Sequence, residues 1–145
     1  MINDALNEVK RMAALAAQDL RERAPGMNGT EIIAEEEFVP KWKNEHDYSK
    51  VAVGTPVEHE GQIYTLLQPH NASYYTGTPA TLAALWRVKH TTDPAKAKPF
   101  VQPTSTSDMY LKDECMLYTD GKVYRCLRDT VYSPEEYGPD WEEVT

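Results

Sequence analysis

A chain of 145 residues carrying a formal net charge of −8 has room for one domain or two small ones, and its acidity argues against a nucleic-acid backbone or an anionic membrane as main partner, since both reward clustered Lys and Arg. Hydrophobic residues make up 41% but include only two Phe, so any core must draw on nine Tyr, three Trp and scattered aliphatics. The four His and two Cys show no zinc-ligand spacing or disulfide framework, and no phosphate loop, Gly-x-Ser-x-Gly elbow or catalytic Cys/His pairing is found.

In chain order, residues 1–24 carry a helical pattern. Ile2, Leu6, Val9, Ala13, Ala16 and Leu20 recur at alternating spacings of four and three, a heptad seam, with Asn7, Glu8, Lys10, Arg11, Asp19 and Arg21 on the other face. The stripe suits a helix packed on its own protein or a short oligomerising coil. The start, Met1-Ile2-Asn3-Asp4, lacks the features of a signal peptide, so synthesis in the cytoplasm is expected, and no apolar run reaches membrane-spanning length.

Residues 25–40 read as a connecting segment. Ala24-Pro25-Gly26-Met27-Asn28-Gly29 ends the helix, Thr30 to Ala34 reads as a short strand, and Glu35-Glu36-Glu37 as a solvated edge. A first β module then occupies residues 41–90, with strands near 54–59, 62–68 and 85–88. Residues 91–99, with two Pro and no apolar pattern, read as an extended linker. A second β module fills residues 100–145, with strands near 114–119, 122–128 and 141–144. The fold expected is mainly β with an N-terminal α-helix, as two tandem small three-stranded antiparallel β modules.

The two modules read as one hairpin written twice. Asp120-Gly121 between β-prone runs is a strong two-residue turn signal, and Glu60-Gly61 a poorer one. Centring the turns on those pairs sets Val57 against Tyr64, Leu117 against Tyr124 and Cys115 against Cys126. The two thiols are expected to be reduced and buried. Gly61-x-x-Tyr64…Pro79…Trp86 and Gly121-x-x-Tyr124…Pro134…Trp141 then match each other.

Those motifs resemble the family 5/12 carbohydrate-binding modules, the small chitin-binding-type domains, whose pattern is a leading Trp, Tyr-x-x-Gly-Asp-x-Val, Gly-x-x-Tyr and a closing Pro…Trp. Trp42 fits the leading position, Val53-Gly54-Thr55-Pro56-Val57 the Gly-Asp-x-Val step, and Tyr110 with Asp113-Glu114 the same step in the second copy. The resemblance covers about two thirds of the chain. The arrangement as a whole, with the Gly29-Thr30-Glu31-Ile32-Ile33-Ala34-Glu35-Glu36 stretch and the His90 to Ala95 linker, is similar to small tail-gene proteins of phages and prophages of Gram-positive bacteria. It implies a non-catalytic, tail-associated virion protein that recognises a host surface glycan or decorates the tail, with no cofactor and with other tail proteins as partners. The alternative is a structural adaptor whose modules bind neighbouring tail proteins. The family's sugar-stacking positions are Gln68 and Pro69 in the first copy, Arg128 and Asp129 in the second, so its usual aromatic platform is missing.

Sugar binding needs flat aromatic faces flanked by amides or carboxylates. The loops offer Tyr74 and Tyr75 with Gln68 and Asn71 in the first module, and Tyr132 and Tyr137 with Asp129 in the second. Trp42 suits either an exposed platform or an aromatic sealing the module's edge. Trp86 and Trp141, on the closing strands, read as core, and His46, His59, His70 and His90 as surface residues.

Overall fold

The computed structural model describes residues 2–145, and of Ile2 only the backbone. Helix α1 spans Ile2–Arg23 and α2 spans Gly29–Ala34. Strands β1 (Pro56–His59), β2 (Gln62–Leu66) and β3 (Trp86–Val88) form a three-stranded antiparallel sheet. Strands β4 (Lys98–Pro99), β5 (Cys115–Leu117), β6 (Val123–Cys126) and β7 (Trp141–Glu143) form a four-stranded one, antiparallel except that β4 runs parallel to β5. The chain is thus mainly β behind an N-terminal helix. Among the described residues, no helix is long and apolar enough to cross a membrane.

The seam on α1 divides along its length. At its C-terminal end Leu20 is fully buried with Ala24 against Ile32, Ile33, Val39 and Ile63, burial that stabilises by roughly 1.5–3 kcal/mol per large aliphatic side chain. Arg23 fixes this end, donating to both carboxylate oxygens of Glu35 at 2.7 and 3.0 Å and to Asp19 at 2.9 Å. Leu6, Val9 and Ala13 lie exposed and Ala16 half-buried, while the side chain of Ile2 lies outside the described residues.

The strand expected over Thr30 to Ala34 is a helix. Asn28 caps it, accepting from the Glu31 amide at 2.9 Å while the Glu31 carboxylate accepts from the Asn28 amide at 3.0 Å. This capping box satisfies two backbone donors that a β-branched run alone cannot, and it overrides the strand preference of Thr30, Ile32 and Ile33. Gly29 is required by packing: a Cβ there would stand 2.1 Å from the His90 carbonyl oxygen.

The first hairpin has the expected register, with Val57 opposite Tyr64. Its turn takes positive φ at both Glu60 (50°) and Gly61 (83°), the conformation of a type I′ turn. The second hairpin is one residue longer than expected. Tyr118 accepts from the Gly121 amide at 3.0 Å and donates to the Lys122 carbonyl at 2.9 Å, so the loop has three residues, with only Gly121 left-handed (φ 82°). Met116 therefore faces Tyr124, Leu117 faces Val123, and Cys115 faces Arg125 rather than Cys126. A one-residue shift reverses the face, so the two thiols lie on opposite sides of the ribbon. Both are free and buried, and burial pushes Cys115 up and Cys126 up to about 12, leaving little reactive thiolate.

Each module repeats one set of backbone hydrogen bonds. Gly54 donates to Leu66 and Asp113 to Cys126, both at 2.8 Å, from residues with φ of 93° and 75°. Leu67 donates to Leu85 and Leu127 to Asp140; Trp42 donates to Glu58 and Phe100 to Leu117. The cores correspond as well. Tyr48 meets Trp86 edge-on at 5.1 Å, Tyr110 meets Trp141 at 5.2 Å, and each tyrosine hydroxyl accepts a backbone N–H, from Lys43 and Val101 respectively. Trp86 and Trp141 are core, as their strands suggest.

Residues 91–99 are not a free linker. Thr91 is buried and bridges Cys115, whose amide donates to its carbonyl at 2.7 Å. Asp93 caps a 3-10 turn over Pro94–Lys96, and Lys98–Pro99 adds the parallel edge of the second sheet. Gln62 of the first sheet donates its side-chain amide to the Pro99 carbonyl at 2.7 Å. Two of the histidines expected at the surface are buried: His70, and His90, which stacks on Tyr110 at 3.7 Å.

Candidate functional site

The segment after Pro40 is extended, held to β1 by the Lys41–Glu58 bridge and by the Trp42 amide, which donates to Glu58 at 2.7 Å. Extended backbone alternates its side chains. Lys41 and Lys43 accordingly line one cleft and Trp42 another, which Asn44 joins from the turn closed by the His46 amide donating to the Lys43 carbonyl at 3.3 Å.

The Trp42 cleft has a volume of about 370 Å³ and is completed by the 75–78 loop, from which Tyr75, Thr76 and Thr78 contribute. Trp42 is half-buried, its indole edge-on to His59 at 5.0 Å. Tyr75 is 44% exposed and braced edge-on by buried His70 at 5.4 Å. His70 is itself fixed through Nδ1 to the Gln68 carbonyl at 2.8 Å. The loop turns at Gly77, with φ of 139°, and Thr81 holds it by accepting from the Thr78 amide at 2.9 Å. The lining comprises an indole, a phenol, a carboxamide and two hydroxyls, groups suited to cover an apolar ring face and hydrogen-bond its rim.

The other expected site residues fall in three places. Tyr74 does not line this cleft and is 82% exposed. Gln68 and Asn71 serve the loop itself: Gln68 donates to the Ala84 carbonyl at 3.0 Å, and Asn71 accepts from the Ser73 amide and hydroxyl at 3.0 and 2.7 Å. In the second module Tyr132 and Tyr137 lie tilted at 6.2 Å, both about half exposed, and Asp129 accepts from the Lys112 amide at 2.8 Å. The structure therefore brings together Trp42 and Tyr75, forms a separate tyrosine pair, and spends Gln68, Asn71 and Asp129 on holding backbone.

Sequence reasoning missed Asn44, Thr76, Thr78 and the bracing His70. Asn44 lies in the turn that follows the extended stretch, so no spacing rule placed it beside Trp42. The others required knowing how the loop folds back. Among the described residues, no three His, Cys, Asp or Glu side chains converge as metal ligands do. No family model matches the chain, and no curated protein matches it at a significant level.

Proposed function

We propose that this is a non-catalytic, phage or prophage tail-associated protein whose first module binds a bacterial surface glycan. The observation that carries the reading is the meeting of Trp42 and Tyr75 across one cleft, with Asn44, Thr76 and Thr78 placed to address hydroxyl groups. This arrangement supplies an aromatic platform from residues other than those the 5/12 family uses, and so answers the polar side chains at Gln68 and Arg128. The exposed Tyr132–Tyr137 pair offers a second aromatic contact. Site and partner together suit host recognition on the virion, where many copies compensate for weak single contacts.

A structural adaptor is the second reading, and it draws on α1. Leu6, Val9, Met12 and Leu15 are each at least 50% exposed on a helix whose C-terminal end is docked, leaving an apolar surface for tail proteins or a second copy.

One pull-down on host cell walls separates the readings. For glycan binding, Trp42→Ala with Tyr75→Ala is expected to cut retention about tenfold or more, the loss of an aromatic anchor. Tyr75→Ala alone keeps the test valid should the double variant unfold. Retention unchanged by these and by replacing Tyr132 and Tyr137 rejects the glycan reading. No retention of the unaltered chain on cell walls, together with self-association in light scattering that is lost on replacing Leu6 and Val9 with Asp, supports the adaptor instead.

A further inference from the structure

The cleft on the other side of residues 41–44 has a different chemistry. Lys41 and Lys43, about 7 Å apart along an extended segment, line it together with Arg21 from the last turns of α1 and with His46. Its floor includes Tyr48 and Val57, both members of the first module's core. The volume is about 250 Å³. That is close to the lower end of ligand sites, roughly 300 Å³, and sufficient for a single ring.

Its charge is uncompensated. Acidic residues outnumber basic ones 23 to 15 in the chain, yet no carboxylate lines this cleft. Among the described residues, Arg21, Lys41 and Lys43 form no salt bridge. Arg23, two positions from Arg21, is by contrast tied to Asp19 and Glu35, and Lys98 is tied to Glu36 at 2.5 Å. A local excess of cations over an apolar floor, in an otherwise acidic molecule, selects a ligand with one negative group on a ring and repels nothing but cations. The second module has no counterpart. By the paired hydrogen bonds of Trp42 and Phe100, the positions of Lys41 and Lys43 are taken there by Pro99 and Val101.

We infer that this pocket holds the anionic group of an acidic saccharide, a carboxylate or phosphate carried on or between sugar rings, and that the first module reads a charged polymer. The wall shared with the aromatic cleft is a single extended segment. One chain crossing it places a ring against Trp42 and Tyr75 and a charge against Lys41 and Lys43. The identity of the polymer rests on the glycan reading above, whereas the anion preference rests on the pocket alone.

The test titrates the full chain with three probes: trigalacturonate, its neutral methyl ester, and glycerol 3-phosphate. Calorimetry and amide chemical shifts are read in about 0.02 M and about 0.3 M salt, either side of the point where the Debye length is about 10 Å. At least one anion is expected to bind with shifts centred on residues 41–48, and which one binds separates carboxylate from phosphate recognition. The ester should bind more weakly than the acid. Lys41→Gln with Lys43→Gln should weaken anion binding about tenfold, the loss of two charge-assisted contacts, as should the higher salt. Both lysines are exposed and unpaired, so these variants keep the fold, and Arg21→Gln offers an independent check. The inference is overturned if neither anion binds, if the acid binds and its ester binds equally well, or if the lysine variants bind anion unchanged. Cell-wall retention keeps the two readings apart. Retention lost in the Trp42/Tyr75 variant but intact in the lysine variant overturns the anion site and leaves the glycan reading. Retention intact in the Trp42/Tyr75 variant, with lysine-dependent anion binding, supports the anion site while the glycan reading fails.

Discussion

In the first module Tyr48 meets Trp86 beneath a two-residue turn, and in the second Tyr110 meets Trp141 beneath a three-residue one. The hydrogen bonds around these contacts recur pair by pair, including the left-handed residue before β1 and before β5, where Gly54 is replaced by Asp113. What faces outward does not recur. The first module presents the Trp42 cleft and the lysine-lined pocket; the second carries Phe100 at the Trp42 position, each aromatic half-buried against its own core, but has Pro99 and Val101 in place of Lys41 and Lys43. The difference shows that the ribbon, the Tyr–Trp contact and the closing strand make a frame that tolerates changed surfaces, and under the proposed function binding falls mainly to the first copy.

The comparison can be broken most sharply at the two core tryptophans. Trp86→Ala and Trp141→Ala should each cost about 3–5 kcal/mol, by removing a fully packed indole. The second core has four buried members against eight, so Trp141→Ala removes the larger share. Because Thr91, Gln62 and His90 bind the copies together, one shared transition is expected in urea, seen alike by tryptophan fluorescence and far-UV circular dichroism. Two separated transitions would show the copies to be independent.

His90 tests the joint between them. Burial pushes its pKa down from 6.5 to about 4, against small opposing effects of Asp108 and with Lys89 acting in the same direction. Between those values the unfolded chain takes up a proton that the folded chain refuses, so stability falls as pH drops from 6.5 to 4, by on the order of 3 kcal/mol, and levels off below. His90→Phe keeps a ring on Tyr110 and should flatten this dependence in pH-resolved urea titrations. An unchanged slope would place the acid sensitivity elsewhere.

The turns differ least in energy and most in kind. Gly61→Ala and Gly121→Ala should each cost about 1 kcal/mol, because both residues are left-handed. Glu60→Asn should raise the melting temperature slightly, a gain of roughly a few tenths of a kcal/mol, since Asn tolerates positive φ. Asp120→Asn should bring no gain: Asp120 is not left-handed, and its carboxylate accepts from the Tyr124 hydroxyl at 2.6 Å. Equal responses at Glu60 and Asp120 would erase the distinction between the two turns.

Much of this was legible from spacing. The alternating β pattern, the two Gly-x-x-Tyr hairpins, the closing tryptophans and the amphipathic first helix all express local periodicity, which side-chain geometry reads directly. The second register was misread because Asp-Gly serves two turn types equally well, and only the cross-strand hydrogen bonds choose between them. Helix α2 was misread because two hydrogen bonds of a capping box outweigh the β preference of the residues they enclose. Of the site, the sequence by itself determined which aromatics were available. Which aromatics meet, which amides are consumed in holding loops, and that Arg21 joins two lysines twenty positions away were decided only by tertiary structure. The reason is physical: convergence depends on the path of loops and the docking of α1 through Leu20, and those follow from long-range burial that no local pattern encodes.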